Sequence, residues 1–227
     1  AGTPAIQPTI SNTLGLGMNY KAYVLSANYT REEGTISRVA EFDDELERVI
    51  FIAENFDNVN TFSLTLGVPV RITNWWKTQN TFILVHRYVK RETDESVIET
   101  DQFSYSFNHT SSFNLADTWT GEINFNYFSE RVFGPNTVNP NYGVNIGVQK
   151  KFDEKWGSLR FNINDVFESF IFDIQADIQD ENVVTKNKLD FSNRTFLLTY
   201  TRRFGNKKLK SSRNRKTGAE EERRRVN

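Results

Sequence analysis

The sequence predicts an all-β fold: an antiparallel up-and-down transmembrane β-barrel, of which about nine strands are present as an incomplete, open portion. Three observations lead to this prediction. Apolar and polar residues alternate with a period of two along most of the chain. The polar positions of the predicted strands are mostly Ser, Thr, Asn and Gly rather than Lys and Glu. Short turns that carry Trp alternate with long polar segments.

The composition favours strands and excludes several classes of site. Aromatic residues make up 14% of the 227 residues, with 19 Phe against a single Met, and aromatic side chains favour β-structure. The absence of Cys excludes a disulfide framework and any thiolate metal site. No apolar run approaches the length of a membrane helix, but a membrane strand presents only every second residue to lipid.

The alternation predicts the strands one by one. It is most regular in residues 62–72, where Phe, Leu, Val and Ile occupy every second position. Residues 81–89 are apolar at both sets of positions, so the pattern does not orient them. The other predicted strands are residues 14–20, 23–29, 103–107, 123–127, 142–148, 159–163 and 196–204.

The polar positions distinguish a membrane barrel from a soluble sheet. The water-exposed face of a soluble β-sandwich usually carries Lys and Glu, whereas small neutral polar groups are typical of the lumen of a large barrel. A soluble sandwich with its apolar face inward remains the alternative. The predicted lumen-facing residues are Ser104, Ser106, Asn124, Asn126, Asn145 and Asn162.

Aromatic residues mark the short turns. Trp stands where the next strand begins in three of these turns, and residues 19–23 are an aromatic version of the same device. Because an amphipathic ring prefers the headgroup level of a membrane, these residues predict an aromatic girdle on the periplasmic side. The predicted girdle consists of Tyr20, Tyr23, Trp75, Trp76, Trp119 and Trp156.

The long polar segments are predicted to be extracellular loops. They are residues 31–58, 91–98, 132–141 and 178–190. The first contains alternating pieces of its own and is predicted to fold as a projecting hairpin. With that choice the spanning strands begin and end with a descent, although single-chain bacterial barrels have even strand numbers. The chain is therefore expected to be part of a larger barrel, an open curved sheet with unpaired first and last edges.

Both ends of the chain resemble a known family. Residues 2–8, Gly-Thr-Pro-Ala-Ile-Gln-Pro, are similar to the Gly-Asn-Pro-x-Leu-x-Pro segment of TonB-dependent receptor barrels, with Thr3 and Ile6 at the positions of the family's Asn and Leu. Residues 200–208 and 213–222 resemble the final strand and basic tail of the outer-membrane β-barrel family related to those receptors. The terminal-strand residues are Phe196, Leu198, Tyr200 and Phe204.

The resemblance implies a receptor or transporter in the outer membrane of a Gram-negative cell. It implies a barrel of about 22 strands with a plugged lumen. The implied partners are outer-membrane lipid, the N-terminal barrel strands and plug that are missing from this chain, an inner-membrane energy-coupling protein and a ligand of unknown identity. The resemblance covers only the C-terminal part of such proteins, so transport is implied by analogy.

The chain is predicted to consist of a barrel portion, residues 1–204, and a basic tail, residues 205–227. The tail carries nine Lys or Arg and three Glu. Its charge alone suggests nucleic acid or an anionic membrane surface as a partner. Its low hydrophobicity and lack of aromatic residues instead favour a disordered periplasmic extension that binds no nucleic acid.

Neither catalysis nor a cofactor is predicted. His86 and His109 lie singly in strand patterns, and the chain lacks phosphate-loop and hydrolase motifs. The acidic residues of the predicted loops lack calcium-loop spacing, so no metal site is predicted. The leading function is uptake of a ligand through the outer membrane. The alternatives are a surface adhesin and a secreted glycan-binding β-sandwich.

Overall fold

The computed structural model describes residues 6–43, 48–92, 97–133, 136–153, 156–178, 183–191, 193–202 and 204. The predicted tail, residues 205–227, lies outside the described residues. Within the described part of the chain, no helix is long and apolar enough to cross a membrane.

Thirteen strands make up the described secondary structure. The first six are β1 (Ile10–Tyr20), β2 (Tyr23–Asp43), β3 (Arg48–Arg71), β4 (Trp76–Glu92), β5 (Val97–Ala116) and β6 (Trp119–Phe128). They are followed by β7 (Arg131–Phe133), β8 (Asn136–Val138), β9 (Asn141–Lys151), β10 (Ser158–Asn164), β11 (Ile171–Ile178), β12 (Val183–Asp190) and β13 (Thr195–Thr201).

Nine of these strands form one antiparallel sheet. Their order in the sheet is β1-β2-β3-β4-β5-β6-β9-β10-β13. Each of the nine strands therefore lies beside the one of the nine that precedes it along the chain. The sheet does not close on itself, because β1 pairs only with β2 and β13 pairs only with β10. The predicted all-β, antiparallel, open sheet of nine strands is confirmed.

Short turns join β1 to β2, β3 to β4, β5 to β6 and β9 to β10, and the up-and-down order brings all four to one edge of the sheet. We call this the short-turn edge and the opposite one the long-loop edge. Two of the turns contain residues with left-handed backbone, Lys21 with φ 54° and Gly157 with φ 78°. Glycine adopts such a conformation without the steric penalty that other residues incur.

The predicted projecting hairpin is present at the long-loop edge. β2 and β3 have 21 and 24 residues, well beyond the length of the strands beside them, and they stay paired out to Asp43 and Arg48. The residues at its tip, 44–47, lie outside the described residues. A tract of polar sequence thus forms regular β-structure because each strand supplies the hydrogen-bond partners of the other.

A second, four-stranded sheet was not predicted. Its order is β12-β11-β8-β7, and its strands come from the two long connections that leave the long-loop edge, between β6 and β9 and between β10 and β13. β11 contacts both β2 and β9, and β7 contacts β5. The small sheet therefore reaches across the long-loop end of the main sheet between strands that are not neighbours.

Few side chains are buried. Phe56, Val59 and Val89 form the hydrophobic cluster in the part of the chain that the structure describes, with Val59 and Val89 directly paired across β3 and β4. This cluster lies toward the long-loop edge. Most large apolar side chains are instead exposed on one face of the main sheet. The main sheet is thus held together by its ladders rather than by a central core.

Candidate functional site

One face of the main sheet collects the small polar side chains. Directly paired residues of an antiparallel sheet project from the same face, and alternate residues share a face. Asn124 pairs with Asn145, and Asn162 pairs with Gly147, which in turn pairs with Glu122. Continuing the register through Asn108 and Asn126 brings β5 onto the same face. The six predicted lumen-facing residues, Ser104, Ser106, Asn124, Asn126, Asn145 and Asn162, therefore share one face, which we call the polar face.

A chain of hydrogen bonds runs across the polar face between β5 and β10. The Thr110 hydroxyl donates to Asn124 Oδ1 at 2.8 Å, and Asn124 Nδ2 donates to Glu122 Oε1 at 2.9 Å. Arg160 Nη2 lies 3.2 Å from the same carboxylate oxygen, and its Nε donates to Asn162 Oδ1 at 2.9 Å. The Arg160 and Glu122 side chains are 42% and 37% exposed, so solvent screens their attraction. Sequence reasoning missed both charged residues.

Gly147 makes this crossing possible. It lies on β9 between Glu122 and Asn162, so the ion pair passes over it. A Cβ atom at this position would lie 2.6 Å from Asn162 Oδ1 and 3.4 Å from Arg160 Nη2. The same arrangement recurs at the other end of the sheet, where a Cβ on Gly15 would lie 2.7 Å from Oδ1 of its register partner Asn28. Gly on the polar face lets an Asn side chain lie across the neighbouring strand.

We expect Gly147→Ala to be less stable than the matched variant Gly17→Ala by about 1 kcal/mol, the value of one hydrogen bond. Both changes remove a strand glycine, which is itself mildly stabilising. Only the first displaces Asn162 from Arg160, because a Cβ on Gly17 meets nothing within 4 Å. Denaturant unfolding of the two variants in lipid vesicles measures the difference. Equal free energies of unfolding would show that the network adds nothing.

Beside the network, the polar face contains a shallow depression of about 230 Å³ near the short-turn edge. Polar side chains dominate its lining, which includes Ser112, Asn114, Thr120, Glu122, Gln149 and Arg160. Toward the long-loop edge, Arg87 on β4 has a buried Nε atom for which the described residues offer no hydrogen-bond partner. The polar face thus presents donors and acceptors along its length.

The opposite, apolar face carries the large hydrophobic side chains in the open. Leu16, Phe82, Phe103 and Ile123 are among its members, with Leu16 72% and Phe103 65% exposed. The register assigns residues 81–89, which the sequence pattern did not orient: Phe82 and Leu84 pair with Phe107 and Tyr105 on the apolar face. A continuous apolar surface of this extent requires a non-aqueous neighbour.

A polar network lies within the apolar face. Trp76 Nε1 donates to Ser111 Oγ at 3.0 Å, and His109 Nε2 lies 2.9 Å from the same oxygen. His109 Nδ1 lies 2.7 Å from Asn80 Oδ1, an atom that only accepts, so Nδ1 carries the proton. Asn80 Nδ2 then donates to the Val68 carbonyl at 3.0 Å. With Ser111 donating to Nε2, a neutral His109 satisfies every one of these contacts.

We expect Ser111→Ala to destabilise the folded protein by about 1–3 kcal/mol, because it leaves Trp76 Nε1 and His109 Nε2 without their common partner. Ser111 is 3% exposed, so water does not replace the lost hydroxyl. The neighbouring Ser112 is exposed on the polar face and provides the control Ser112→Ala. Unfolding in lipid vesicles, followed by Trp fluorescence, compares the two. A loss shared equally by both variants would contradict a closed network.

The predicted girdle residues all lie at the short-turn edge. Tyr20 and Tyr23 pair at the first turn, and Trp119 begins β6. Trp75 and Trp76 stack on each other with centroids 6.2 Å apart. Trp156 belongs to the turn before β10 and is 62% exposed. That this edge is periplasmic stays a prediction.

The terminal-strand residues Phe196, Leu198 and Tyr200 share the apolar face of β13 and are more than half exposed, and Phe204 is exposed beyond the strand. The ring of Phe196 stacks on Phe161 of β10 with centroids 6.3 Å apart. One edge of β13 has no partner among the described strands. This strand therefore contributes both to the apolar surface and to the open end of the sheet.

The small sheet is tied to the main sheet by Arg131. Its guanidinium packs over the rings of Phe128 at 5.1 Å and Phe172 at 5.6 Å. Its Nη1 donates to the Ser129 carbonyl and to Asn141 Oδ1, both at 3.3 Å. Burial lowers the pKa of Arg131 below its ordinary value, but an arginine stays charged at neutral pH. One side chain thus joins β7 to the start of β9.

Both histidines contact other side chains within the main sheet. His86 contacts Asp101 and stacks on Phe103 with centroids 4.3 Å apart, and His109 belongs to the network around Ser111. Both lie on the apolar face. Among the described residues, no group of three or more His, Asp or Glu side chains is placed to hold a metal ion.

Comparison with known proteins supplies the class of this sheet. A family model described as "Outer membrane protein beta-barrel family" matches residues 1–201. No curated protein and no solved structure matches the chain.

Proposed function

Because the chain belongs to the outer membrane protein beta-barrel family, we propose that it forms part of the wall of a TonB-dependent receptor that takes up a ligand across the outer membrane. Family membership makes the chain an outer-membrane β-barrel protein. It also replaces the secreted β-sandwich alternative, whose apolar face would be hidden in a core rather than exposed. TonB-dependent uptake is a more specific function than family membership shows, and the geometry of the sheet supports this proposal.

The observation that carries the proposal is the separation of the two faces. Lipid faces the exposed apolar side chains, since only a non-aqueous medium accommodates such a surface. The polar face then turns inward and lines the lumen. Its network of Thr110, Asn124, Glu122 and Arg160 offers hydrogen-bonding groups between β5 and β10. A polar solute or a plug domain fits such a wall.

The open edges define the first partners. An unpaired strand edge exposes a row of backbone N–H and C=O groups, which cannot remain unsatisfied within lipid. In the proposed receptor, further barrel strands pair with β1 and β13, and a plug domain occupies the enclosed lumen. An energy-coupling protein of the inner membrane opens the plug, in keeping with the receptors that the chain ends resemble.

Uptake is tested in the host cell, with the intact protein and without it. Under iron limitation and under carbon limitation, mass spectrometry of washed cells compares the small molecules accumulated by the parent and by a strain that lacks the gene. We expect at least one compound to accumulate only in the parent, and a protonophore to abolish that difference. Identical accumulation under both limitations, or a difference insensitive to the protonophore, would overturn energised uptake.

The orientation of the faces has its own test, because the sequence contains no Cys. Single variants Ser106→Cys and Asn145→Cys on the polar face are expected to react with a membrane-impermeant maleimide in outer-membrane vesicles permeabilised to it. Phe82→Cys on the apolar face is expected to stay unmodified until the vesicles are dissolved in detergent. The reverse pattern would place the polar face against lipid, and it would refute the lumen.

The projecting hairpin of β2 and β3 favours a second function, adhesion. It extends past the neighbouring strand β1, whose pairing with β2 ends at Ile10 and Glu33. A hairpin of this kind presents a surface beyond the membrane. Deleting residues 36–53 should abolish attachment to a partner surface and spare uptake if the hairpin serves adhesion alone. Loss of uptake with unchanged attachment would favour the receptor.

A further inference from the structure

The outer side of the short-turn edge combines aromatic rings with cations. Lys21 Nζ lies 5.4 Å from the centre of the Tyr20 ring. Lys150 Nζ lies 4.9 Å from the Trp119 ring, its register partner on the apolar face. The Arg202 guanidinium lies 5.6 Å from the Trp156 ring. We call these three pairs the outer rim. The same device thus recurs at three separate turns.

The cations of the outer rim have no anionic partner among the described residues. Among the residues that the structure describes, no carboxylate forms an ion pair with Lys21, Lys150 or Arg202. Their aromatic partners are themselves open to the surroundings, with Trp156 62%, Tyr20 63% and Trp119 40% exposed. Each cation is therefore held in place by a ring while its charge is left available to an external anion.

The depth of the rings identifies what that anion is. Amphipathic rings at the end of a membrane strand lie at the headgroup level, between hydrocarbon and water. A cation held against such a ring on the lipid-facing side is at the depth of the lipid phosphates. Water-soluble anions can reach the polar face. Lipid covers the apolar face and keeps such anions away from the cations there. Charge and depth together select a phospholipid headgroup.

We propose that the outer rim, formed by Tyr20 with Lys21, Trp119 with Lys150 and Trp156 with Arg202, binds the phosphates of anionic phospholipids. The ring lies against the glycerol region, and the ammonium or guanidinium group contacts the phosphate. The barrel thereby enriches anionic lipid around its short-turn edge. This inference rests on the outer-membrane placement of the chain and is independent of the proposed uptake.

The sheet offers a matched control at the same edge. Arg71, Lys77 and Lys151 are exposed cations that lie on the polar face, at the ends of β3, β4 and β9. Replacing these three by Gln changes the net charge as much as replacing Lys21, Lys150 and Arg202. Only Lys21, Lys150 and Arg202 lie on the lipid-facing side.

The test uses the full-length protein reconstituted in phosphatidylcholine vesicles. All four Trp residues of the chain lie at the short-turn edge and report on the lipid beside it. Their fluorescence is titrated with brominated phosphatidylglycerol and, separately, with brominated phosphatidylcholine, both of which quench on contact. We expect the anionic lipid to quench at a lower mole fraction, by about fivefold for each cation that contacts a headgroup. High salt should reduce this preference.

The triple variant Lys21→Gln, Lys150→Gln, Arg202→Gln should quench equally with both lipids, whereas the polar-face triple variant should keep the wild-type preference. If the first triple variant does not fold, as judged by its migration on unheated gels, the single variant Lys150→Gln replaces it, with Lys151→Gln as its control. Equal quenching of the wild type by the two lipids overturns the proposal. So does an equal loss of preference in both sets of variants.

Discussion

Replacing Phe82 with Lys is expected to lower the free energy of unfolding in lipid vesicles by about 2–4 kcal/mol beyond the loss caused by Phe82→Ala. Phe82 is 47% exposed on the apolar face, about midway between the aromatic short-turn edge and the exposed Phe103. A lysine there must leave its charge in hydrocarbon or distort the bilayer. The alanine variant accounts separately for the lost stacking on Phe107, whose ring centre is 4.5 Å away.

The neighbouring residue supplies the control. Thr81 belongs to the same strand at the same depth, but its register partners Gly67 and Asn108 place it on the polar face. Because the polar face offers water or polar partners to the new charge, Thr81→Lys is expected to change the free energy of unfolding by less than about 1 kcal/mol. Denaturant unfolding of the reconstituted proteins compares the pair. Similar losses at both positions would mean that the two faces do not differ in environment.

The main sheet was predictable because its determinants are local. In a strand with one face in lipid and one in a polar lumen, apolar and polar residues must alternate. The strand at residues 62–72 can therefore be predicted without any knowledge of its neighbours. Residues 81–89 show the limit of this reasoning. Ile83 and Val85 are as apolar as Phe82 and Leu84, and only the pairing with β3 and β5 assigns them to opposite faces. Pairing over long sequence distances carries information that a local pattern lacks.

The small sheet was missed for a related reason. β7 and β8 have three residues each, too few to display a period. Their stability comes from contacts between two distant loops, such as the donation from the backbone N–H of Asn139 to the carbonyl of Asp173 at 2.9 Å. The predicted loops 132–141 and 178–190 include β8 and β12 but leave out nearly all of β11, and polarity alone gave no sign that these segments pair. Such non-local strands are the hardest elements to read from a sequence.

The polar face, too, could be predicted only in part. The shared face of the six small polar residues could be predicted, because it depends on strand parity. The Arg160–Glu122 crossing could not, since it requires Gly147 to lie between two particular strands. The signal that could have found it is the pairing of glycine with asparagine, which occurs at Gly147 with Asn162 and at Gly15 with Asn28. The Ser111 network was hidden because polar residues interrupt the apolar face only near its edge.

The largest effect of a single methyl group is expected at Gly157, in the turn that leads into β10. Its φ of 78° already disfavours any other residue, and a Cβ there would overlap the Thr201 carbonyl oxygen and lie 3.0 Å from Arg202 Cα. Both are backbone atoms at the end of β13, so no side-chain rotation relieves the clash. We expect Gly157→Ala to destabilise the folded protein by about 3 kcal/mol or more, from left-handed strain and overpacking together.

Two other glycines serve as controls that separate backbone strain from steric overlap. Gly34 has nearly the same conformation, with φ 69°, but its added Cβ would come no closer than 3.3 Å, to the carbonyl oxygen of Pro8. Gly34→Ala therefore reports mainly the backbone strain, about 1–2 kcal/mol, with one tight contact to Pro8, while Gly17→Ala reports neither strain nor clash. Unfolding in vesicles and migration on unheated gels follow all three variants.

The loss of stability at Gly157 in excess of that at Gly34 measures how tightly the turn packs against β13. A difference below about 0.5 kcal/mol, within the usual error of comparing independent sites, would show that the last strand is free to shift. A large difference would mean that this turn holds β13, and with it the open edge at which the barrel must close.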